Sequence, residues 1–287
     1  MPATWLYVPA PRIPDRLAKA TLASEGVIID LEDATHPAQR PEARELLSGL
    51  LDGLPEGANP AITLAVRVNH VASADFGLDI AAVGPLLAAG VISEIHLPKV
   101  ESADDVAAAL ALTEQYAGDV PHLGCLIESA KGLRFAHEIA EAAGVTGISL
   151  GEADLRADLG LPRGERADDG LLLARLTVVQ ACRAAGLPAP RGSVFANIKD
   201  LDGLRASCAE LRRLGFHGRS VIHPGQVAPV VEAFAPTSAE LEWARSVAER
   251  AEGMLVEGTA SVALPDGSFI DPAIVRQAHD LIARAAA

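Results

Sequence analysis

Residues 26–33 read GVIIDLED, a β-branched run of strand length that ends in three acidic side chains. Seven further segments of this kind recur along the chain, and each is followed by a stretch with helical periodicity. They begin at Thr4, Ile62, Glu94, His122, Val145, Pro188 and Gly218. Apolar runs that alternate with helices indicate buried parallel strands joined by right-handed crossovers. Eight such units predict an α/β fold, a (β/α)8 TIM barrel, which needs roughly 250 residues.

Local signals at the helix ends agree with this division. Ser102 is followed three residues later by Asp105, which is the spacing of a capping box at the start of a helix. Gly144 and Gly186 stand where two helices are expected to end. The rival fold is an open doubly wound sheet. It would normally carry a glycine-rich turn after its first strand, and the turn after Pro9 has none.

The chain is longer than the barrel needs. With 287 residues it suits one large domain and a small appendage. We expect a catalytic barrel over residues 1–253 and a C-terminal extension over residues 254–287. A hairpin-type turn signal at Asp266-Gly267 falls within this extension. The extension is therefore a candidate lid, or an arm exchanged between subunits.

Composition excludes several classes of function. The chain carries 24 basic and 38 acidic residues, a net charge of −14, which disfavours binding to nucleic acid. Its three cysteines show no CxxC spacing, as expected of a reduced protein interior. There is no apolar run of about 20 residues that would span a membrane. The N-terminus shows no secretory signal pattern, so the expected location is the cytoplasm.

Ionisable and other polar side chains cluster at the carboxyl ends of the predicted strands, where the active sites of TIM barrels lie. Six strands end in this way, whereas the amino ends carry fewer charges. The residues concerned are Asp30, Glu32, Asp33, Arg67, Asn69, Lys99, Glu101, Glu128, Glu152, Asp154 and His223. Charges that converge at one mouth are costly to bury without a partner or a metal. This mouth is the expected active site.

Glu128 and Asp154 follow neighbouring strands, so their carboxylates are expected to approach one point. Two carboxylates, several waters and a chelating substrate form a typical Mg²⁺ site. Alternatively, each acid caps a helix or pairs with a basic neighbour, Lys131 or Arg156. The paired placement at strand ends favours the metal site.

Arg67 stands within the otherwise apolar strand VRVN and needs an anionic partner if it is buried. It either forms a structural ion pair with Glu32 or Glu128, or it clamps a substrate carboxylate or a developing enolate oxygen. Alternation places Asp30 and Glu32 on one face of their strand and Asp33 on the other. We expect Glu32 to orient Arg67 or the waters of the metal, without taking part in the chemistry itself.

Taken in order, eight segments resemble the citrate lyase β-subunit-like proteins of the HpcH/HpaI aldolase superfamily. They are LYVPAPR, VIIDLEDA, VRVN, LPKVES, LIESAKG, GEADLRADLG, VIHPGQ and GSFID, and they run over nearly the whole chain. The resemblance implies a (β/α)8 fold, a Mg²⁺ cofactor and a homotrimer or hexamer. The chain departs from the family at residues 151–155, where the usual GxEDL reads GEADL.

The resemblance also implies roles for particular residues. Glu128 and Asp154 look like the metal ligands, and Arg67 and Glu128 look like substrate-binding residues. Asp271, in the C-terminal GSFID segment, matches an acid/base that commonly reaches the barrel of a neighbouring subunit. The extension is therefore expected to contribute to a neighbouring active site.

The implied reaction is reversible cleavage of a 3-hydroxyacyl-CoA of the malyl-CoA or citramalyl-CoA type. Its products are acetyl-CoA or another acyl-CoA and a 2-oxo acid. Tyr7 and Arg16 match positions that contact CoA in some relatives. Three alternatives stay open: an aldolase that acts on hydroxy-oxo acids without CoA, a malyl-CoA thioesterase, and a metabolite-binding protein without catalysis.

Overall fold

Two compact units make up the chain. The computed structural model describes residues 2–118, 122–162, 167–257, 261–263 and 269–286. The first unit spans Pro2–Phe234 and the second spans Ala235–Ala287. The sequence placed a boundary between residues 253 and 254, whereas the helix that begins at Ser238 groups with the C-terminal residues.

A curled sheet of parallel strands forms the centre of the first unit. Its strands in the described residues are β1 (Thr4–Pro9), β2 (Gly26–Asp30), β3 (Thr63–Arg67), β4 (Glu94–Leu97), β5 (Leu123–Ile127), β6 (Val145–Leu150) and β7 (Arg219–Val221). They lie in the order β6-β5-β4-β3-β2-β1-β7, and every neighbouring pair is parallel. Pro9 pairs with Asp30 and Asp30 pairs with Arg67, so the carboxyl ends of the strands meet at one edge. This is the α/β arrangement of a TIM-like barrel.

Helices follow the strands and pack on the outer face of the sheet. In the described part of the first unit they are α1 (Ile13–Ala23), α2 (Arg40–Ser48), α3 (Phe76–Ala88), α4 (Ala103–Ala117), α5 (Ala130–Arg134), α6 (Ala136–Ala140), α7 (Glu152–Asp158), α8 (Leu172–Ala184), α9 (Leu201–Leu214) and α10 (Val227–Phe234). The Ser102 side chain accepts the Asp105 N–H (3.2 Å) at the start of α4, as the capping-box spacing predicts. Gly144 (φ 82°) and Gly186 (φ 71°) follow α6 and α8 in the left-handed conformation, which glycine adopts without strain.

The predicted seventh strand, residues 188–196, is not a regular strand. Only Gly192 of this segment pairs with β7, as a single bridge to Arg219. The segment contains two prolines, which lack the N–H that a ladder needs. On the side of β6, the Ser193 hydroxyl accepts the Glu152 N–H (3.2 Å), so a side chain makes the link there. The prediction of eight regular strands was wrong at this point.

Apolar side chains cover both faces of the sheet. The main core lies between the strands and the surrounding helices. A smaller cluster of Trp5, Ile28 and Ala65, with Tyr7 against it, lies on the inner face of the curled sheet. All three cysteines are buried and free, and burial raises the pKa of each thiol.

The second unit has a small core of its own. In its described residues it contains helices α11 (Ser238–Glu257) and α12 (Pro272–Ala286) and strands β8 (Val262–Ala263) and β9 (Phe269–Ile270). The two short strands pair antiparallel, while the Asp266-Gly267 turn predicted between them lies outside the described residues. A buried cluster joins the helices and β9 and explains why α11 belongs to this unit; it comprises Ala244, Val247, Ile270, Ala278 and Leu281.

Within the parts of the chain that the structure describes, no helix has both the length and the apolar character needed to cross a membrane.

Candidate functional site

The carboxyl ends of neighbouring strands carry a cluster of charged side chains, which we call the mouth cluster. Asp30 ends β2, Arg67 ends β3, and Glu128 directly follows β5. Glu32 lies two residues beyond β2, and Lys99 lies two residues beyond β4. Four of these residues are buried, and the Lys99 side chain is partly exposed. The structure therefore brings together five of the residues that the sequence placed at strand ends.

Arg67 is held by Asp30 in a two-point ion pair. Its Nε donates to Oδ1 (2.7 Å) and its Nη2 donates to Oδ2 (2.6 Å). Asp30 is fully buried and also accepts the backbone N–H groups of Glu32 (3.0 Å) and Ala34 (2.9 Å). Burial opposes the charge on Arg67, but the hydrogen bonds and charge of Asp30 hold the pKa of its guanidinium above the ordinary value. The guanidinium thus has a fixed orientation.

Glu32 lies between two cations. Its Oε2 is 2.9 Å from Nη1 of Arg67, and its Oε1 contacts Nζ of Lys99. Burial raises the pKa of Glu32 in spite of these two positive charges. Asp33 is exposed at the edge of the cluster, with Oδ1 3.6 Å from the same Nζ. Glu32 therefore has the contact with Arg67 that an orienting role requires.

Glu128 meets backbone groups instead of cations. Its Oε2 accepts the N–H of Lys99 (2.8 Å), and its Oε1 lies against Gly151, where a Cβ would come within 2.1 Å. The Gly151 N–H donates to the Ile127 carbonyl (2.9 Å), which places this glycine beside the end of β5. Any larger residue at position 151 would displace the carboxylate. Burial, together with the charge of Glu32, raises the pKa of Glu128 to about 7.

Helix α7 gives the two acids of the GEADL segment different environments. Glu152 is buried and forms a two-point pair with Arg175, at 2.8 and 2.9 Å. Asp154 is exposed in the first turn of the same helix, three residues beyond Gly151. Glu152 therefore ties α7 to α8, and Asp154 is the acid of this segment that is open to a ligand.

The ion pairs that the sequence left open for the two proposed ligands are not formed. Lys131 pairs with Glu101 (3.1 Å) and Arg156 pairs with Asp168 (2.6 Å). Neither Glu128 nor Asp154 has an ion pair with a basic residue in the described part of the chain. Their carboxylates are thus not committed to structural partners.

Glu128 and Asp154 carry the oxygen donors that suit Mg²⁺, and their joint binding of one ion stays a prediction. Mg²⁺ is usually bound by one or two carboxylates and keeps several waters. No cluster of three or more His, Cys, Asp or Glu side chains with metal-site geometry occurs among the residues described. A buried carboxylate without a cationic partner is costly. Glu128 is buried with a backbone hydrogen bond and without an ion pair among the described residues, and this is the observation that fits a bound cation.

Tyr7 packs against Arg67 of the mouth cluster, whereas no described contact links Arg16 to it. The guanidinium carbon of Arg67 stands 5.0 Å from the centre of the Tyr7 ring. Burial raises the pKa of Tyr7 to about 12, so its hydroxyl stays protonated near neutral pH. Arg16 is exposed on α1, and no hydrogen bond or ion pair within the described residues links it to the mouth.

Asp271 lies in the second unit, where it caps the start of α12. Its Oδ1 accepts the N–H groups of Ala273 (2.8 Å) and Ile274 (2.9 Å). The residue is half-buried and directly follows β9. Its role as an acid/base stays a prediction.

Two other residues at the strand ends have structural partners. His223 accepts the Gly225 N–H on Nδ1 (3.0 Å) and caps a short 3₁₀ helix. The Asn69 amide donates to the Asp79 carboxylate (2.7 Å) at the start of α3. Both interactions hold loops in place, which is the ordinary role of such residues.

Known proteins resemble this chain over the strands of the first unit and the mouth cluster. The sequence profile of the HpcH/HpaI aldolase/citrate lyase family matches residues 5–224, which include the whole mouth cluster. The chain belongs to this family. A (3S)-malyl-CoA thioesterase of Cereibacter sphaeroides is 36% identical over 286 residues, covering 98% of this chain and 94% of the relative. A citrate lyase subunit beta-like protein of Mycobacterium tuberculosis is 34% identical over 287 residues, with the same coverage of both chains.

Solved structures of HpcH/HpaI family members share the fold and hold ligands. CitE of M. tuberculosis in complex with magnesium, acetoacetate and coenzyme A matches with a TM-score of 0.80 at 32% identity, over 99% of this chain and 98% of the other. The M. tuberculosis citrate lyase beta subunit with oxaloacetate and magnesium matches with a TM-score of 0.68 at 34% identity, over 82% and 97%. The predicted family is confirmed, and the chain is a lyase.

The two-point hold of Asp30 on Arg67 was not predicted for this HpcH/HpaI lyase. The available signal was the spacing of Asp30 and Glu32, which places both acids on the strand face that Arg67 shares. The spacing did not predict which acid would accept two hydrogen bonds from Arg67 and which would make a single contact with it.

A second polar cluster on the inner face of the sheet was also missed. Glu94 Oε2 lies 2.7 Å from His96 Nε2, and Arg191 Nη2 lies 3.0 Å from the same nitrogen. Arg191 also stacks over the Trp5 ring at 4.5 Å. Alternation of Glu94 and His96 on β4 was a usable signal, whereas Arg191 lies in the irregular segment 188–196 and gave none.

Proposed function

We propose that this chain is a Mg²⁺-dependent carbon–carbon lyase for a 3-hydroxyacyl-CoA of the malyl-CoA or citramalyl-CoA type. It cleaves this ester to an acyl-CoA, such as acetyl-CoA, and a 2-oxo acid, or forms it from them. The observation that carries the proposal is a guanidinium locked by Asp30 at the same mouth as a buried Glu128, whose described hydrogen bond comes from a backbone N–H and which has no ion pair among the described residues. Magnesium, coenzyme A and oxo-acid ligands in the mycobacterial relatives support it.

In the cleavage direction the 3-hydroxyl loses its proton and the bond between the second and third carbons breaks. The electron pair stays on the acyl α-carbon, which then gains a proton. Arg67 donates to the oxygens of the oxo-acid half, since its other edge is held by Asp30. Glu128 and Asp154 would hold Mg²⁺, which supplies Lewis-acid stabilisation of charge on those oxygens when bound.

Asp271 exchanges the proton at the thioester α-carbon in this proposal. Its carboxylate needs surroundings poor in water to act as a base near neutral pH. We propose that the extension over residues 254–287 carries Asp271 to the barrel of a neighbouring subunit in a homotrimer or hexamer. Tyr7 and Arg16 are proposed to contact the CoA portion.

The decisive assay mixes acyl-CoA and 2-oxo-acid pairs with the purified protein and follows products by mass spectrometry. We expect one pair to give a 3-hydroxyacyl-CoA with Mg²⁺ and none with a chelator. Arg67→Ala should lower kcat by about 10²–10³-fold, as for the loss of an oxyanion-stabilising donor. Asp154→Ala should give a comparable loss, while Lys19→Met, a change at an exposed lysine of α1, should leave kcat unchanged. Activity within about twofold of wild type in Arg67→Ala would refute the assignment.

The role of the extension has a separate test. Asp271→Asn and truncation after Met254 should both abolish turnover of CoA esters. Circular dichroism checks that the first unit of each variant stays folded. Cleavage of a free hydroxy-oxo acid by the truncated chain would instead indicate a CoA-independent aldolase that needs no C-terminal acid.

Thioester hydrolysis is the second candidate function, because the Cereibacter relative is a (3S)-malyl-CoA thioesterase. A thioesterase releases malate and free CoA thiol, whereas a lyase releases glyoxylate and acetyl-CoA. A thiol reagent and an assay for the oxo acid, run on the same malyl-CoA sample, separate the two. Thiol release without any oxo acid would replace the lyase proposal.

A further inference from the structure

Lys99 has an exceptional backbone conformation. It is the one residue other than glycine with a positive φ, 53°, in the part of the chain that the structure describes. The left-handed region crowds the Cβ of an L-residue, so the surrounding structure must enforce it. Residues held in this way cluster at functional sites. Lys99 stands at the mouth, two residues beyond β4.

The backbone of Lys99 serves Glu128. Its N–H donates to Oε2 of Glu128 at 2.8 Å, across the gap between the ends of β4 and β5. Gly151 closes the other side of the same carboxylate. The left-handed turn at Lys99 and the missing side chain at position 151 together fix where the Glu128 carboxylate lies.

The side chain of Lys99 contacts two other acids, Glu32 and Asp33. Its Nζ contacts Oε1 of Glu32 and lies 3.6 Å from Oδ1 of Asp33. Arg67 takes the other oxygen of Glu32 at 2.9 Å. The two cations of the mouth cluster therefore bind Glu32 and Asp33, while Glu128 keeps one amide hydrogen bond among the described contacts.

We propose that Lys99 is a positioning residue that decides which acid of the mouth binds the divalent cation. Its backbone N–H aims Glu128 at the cation, and its ammonium keeps Glu32 and Asp33 from binding it. This inference rests on the proposed function only in that it takes Glu128 as a ligand of Mg²⁺.

Calorimetric titration of the full chain with Mg²⁺, without substrate, tests the role of the Lys99 ammonium in Mg²⁺ binding. Lys99→Met releases Oε1 of Glu32 and Oδ1 of Asp33 from the ammonium and removes a positive charge, so Mg²⁺ should bind roughly three- to tenfold more tightly than to wild type. Lys99→Arg should restore the wild-type affinity, and Lys19→Met is the control for loss of a distant exposed charge. An unchanged or weaker affinity in Lys99→Met overturns the role of the ammonium. Failure of the wild type to bind Mg²⁺ would instead overturn the cation of the proposed function.

Urea unfolding without metal tests whether the fold enforces the positive φ of Lys99. Lys99→Gly and Lys99→Met both lack the ammonium, but only glycine adopts a positive φ without strain. The unfolding midpoint of Lys99→Gly should lie above that of Lys99→Met, and both should bind Mg²⁺ equally because the N–H is kept. A midpoint of Lys99→Gly at or below that of Lys99→Met overturns the enforced conformation.

Discussion

Replacement of Asp30 by asparagine should destabilise the barrel and release Arg67. Asp30 accepts four hydrogen bonds: two from Arg67, at 2.7 and 2.6 Å, and two from backbone N–H groups, at 3.0 and 2.9 Å. Asparagine keeps one acceptor oxygen and turns an NH₂ group toward the remaining donors. Asp30→Asn therefore loses at least two of these bonds and leaves a buried guanidinium without its main counter-charge.

The size of this effect follows from burial. Removal of one partner from a buried ion pair costs about 3–5 kcal/mol. Glu32 still lies 2.9 Å from Arg67, so we expect the lower end of this range, about 3 kcal/mol. A loss of this size lowers the Tm by about 6–12 °C for a domain of 150–250 residues.

Thermal unfolding followed by circular dichroism, without metal or substrate, measures this loss. Asp15→Asn is the matched control, because Asp15 pairs with Arg12 on the exposed surface and its loss should not shift the Tm measurably. In an Arg67→Met background the further change of Asp30 should cost much less, since the pair is already broken. A Tm of Asp30→Asn equal to that of wild type would show that the Asp30–Arg67 pair does not stabilise the fold.

Three further predictions concern packing, pH and metal. A Cβ at Gly84 would lie 2.4 Å from the Tyr116 Cβ between α3 and α4, so Gly84→Ala should lower the unfolding free energy by about 1–3 kcal/mol. Gly77→Ala on the same helix meets no atom within 4 Å and should not destabilise; equal urea midpoints for the two variants would contradict the close contact. Burial opposes ionisation of Glu94, but His96 and Arg191 lower its pKa to about 2. Its carboxylate therefore stabilises the fold fully above about pH 4.3 and loses this contribution as the pH falls toward 2. Glu94→Gln should flatten the change of the urea midpoint over that interval, and an unchanged slope would argue against the shift. Mg²⁺ at one hundred times its Kd should raise the unfolding free energy by about 2.7 kcal/mol, and a chelator should reverse this rise. Asp154→Asn should lose most of the rise; a full rise in that variant would exclude Asp154 as a ligand.

The barrel was predictable because its signals are local. An apolar run, a polar strand end and a capped helix each occupy a short stretch of chain, as in GVIIDLED and in the Ser102 cap. The prediction was wrong for residues 188–196. The composition of this segment resembles that of a strand, but its two prolines restrict pairing to one bridge at Gly192. Whether a proline disrupts a ladder depends on whether a neighbouring strand needs a hydrogen-bond donor at that position, and that strand is remote in sequence.

The site was predictable as a place but not as a set of contacts. Parallel strands bring their carboxyl ends to one edge, so polar residues at those ends had to meet. Partner choice among them depends on distances between strands. The sequence allowed Arg67 to pair with Glu128, whereas in the structure Arg67 pairs with Asp30 and Glu32. Glu152 and Asp154 are two residues apart at the start of α7. Glu152 pairs with Arg175, whereas Asp154 is exposed.

The alternation of strands and helices, the edge where charged groups gather and the family of the chain all follow from the amino-acid sequence alone. How the charges of that edge are shared emerges only in the folded chain: three acids pair with Arg67, two pair with Lys99, and Glu128 accepts a backbone N–H. The reason is physical. Periodicity is a property of neighbouring residues, whereas the energy of a buried charge depends on which remote charges and amides come within a few ångströms of it.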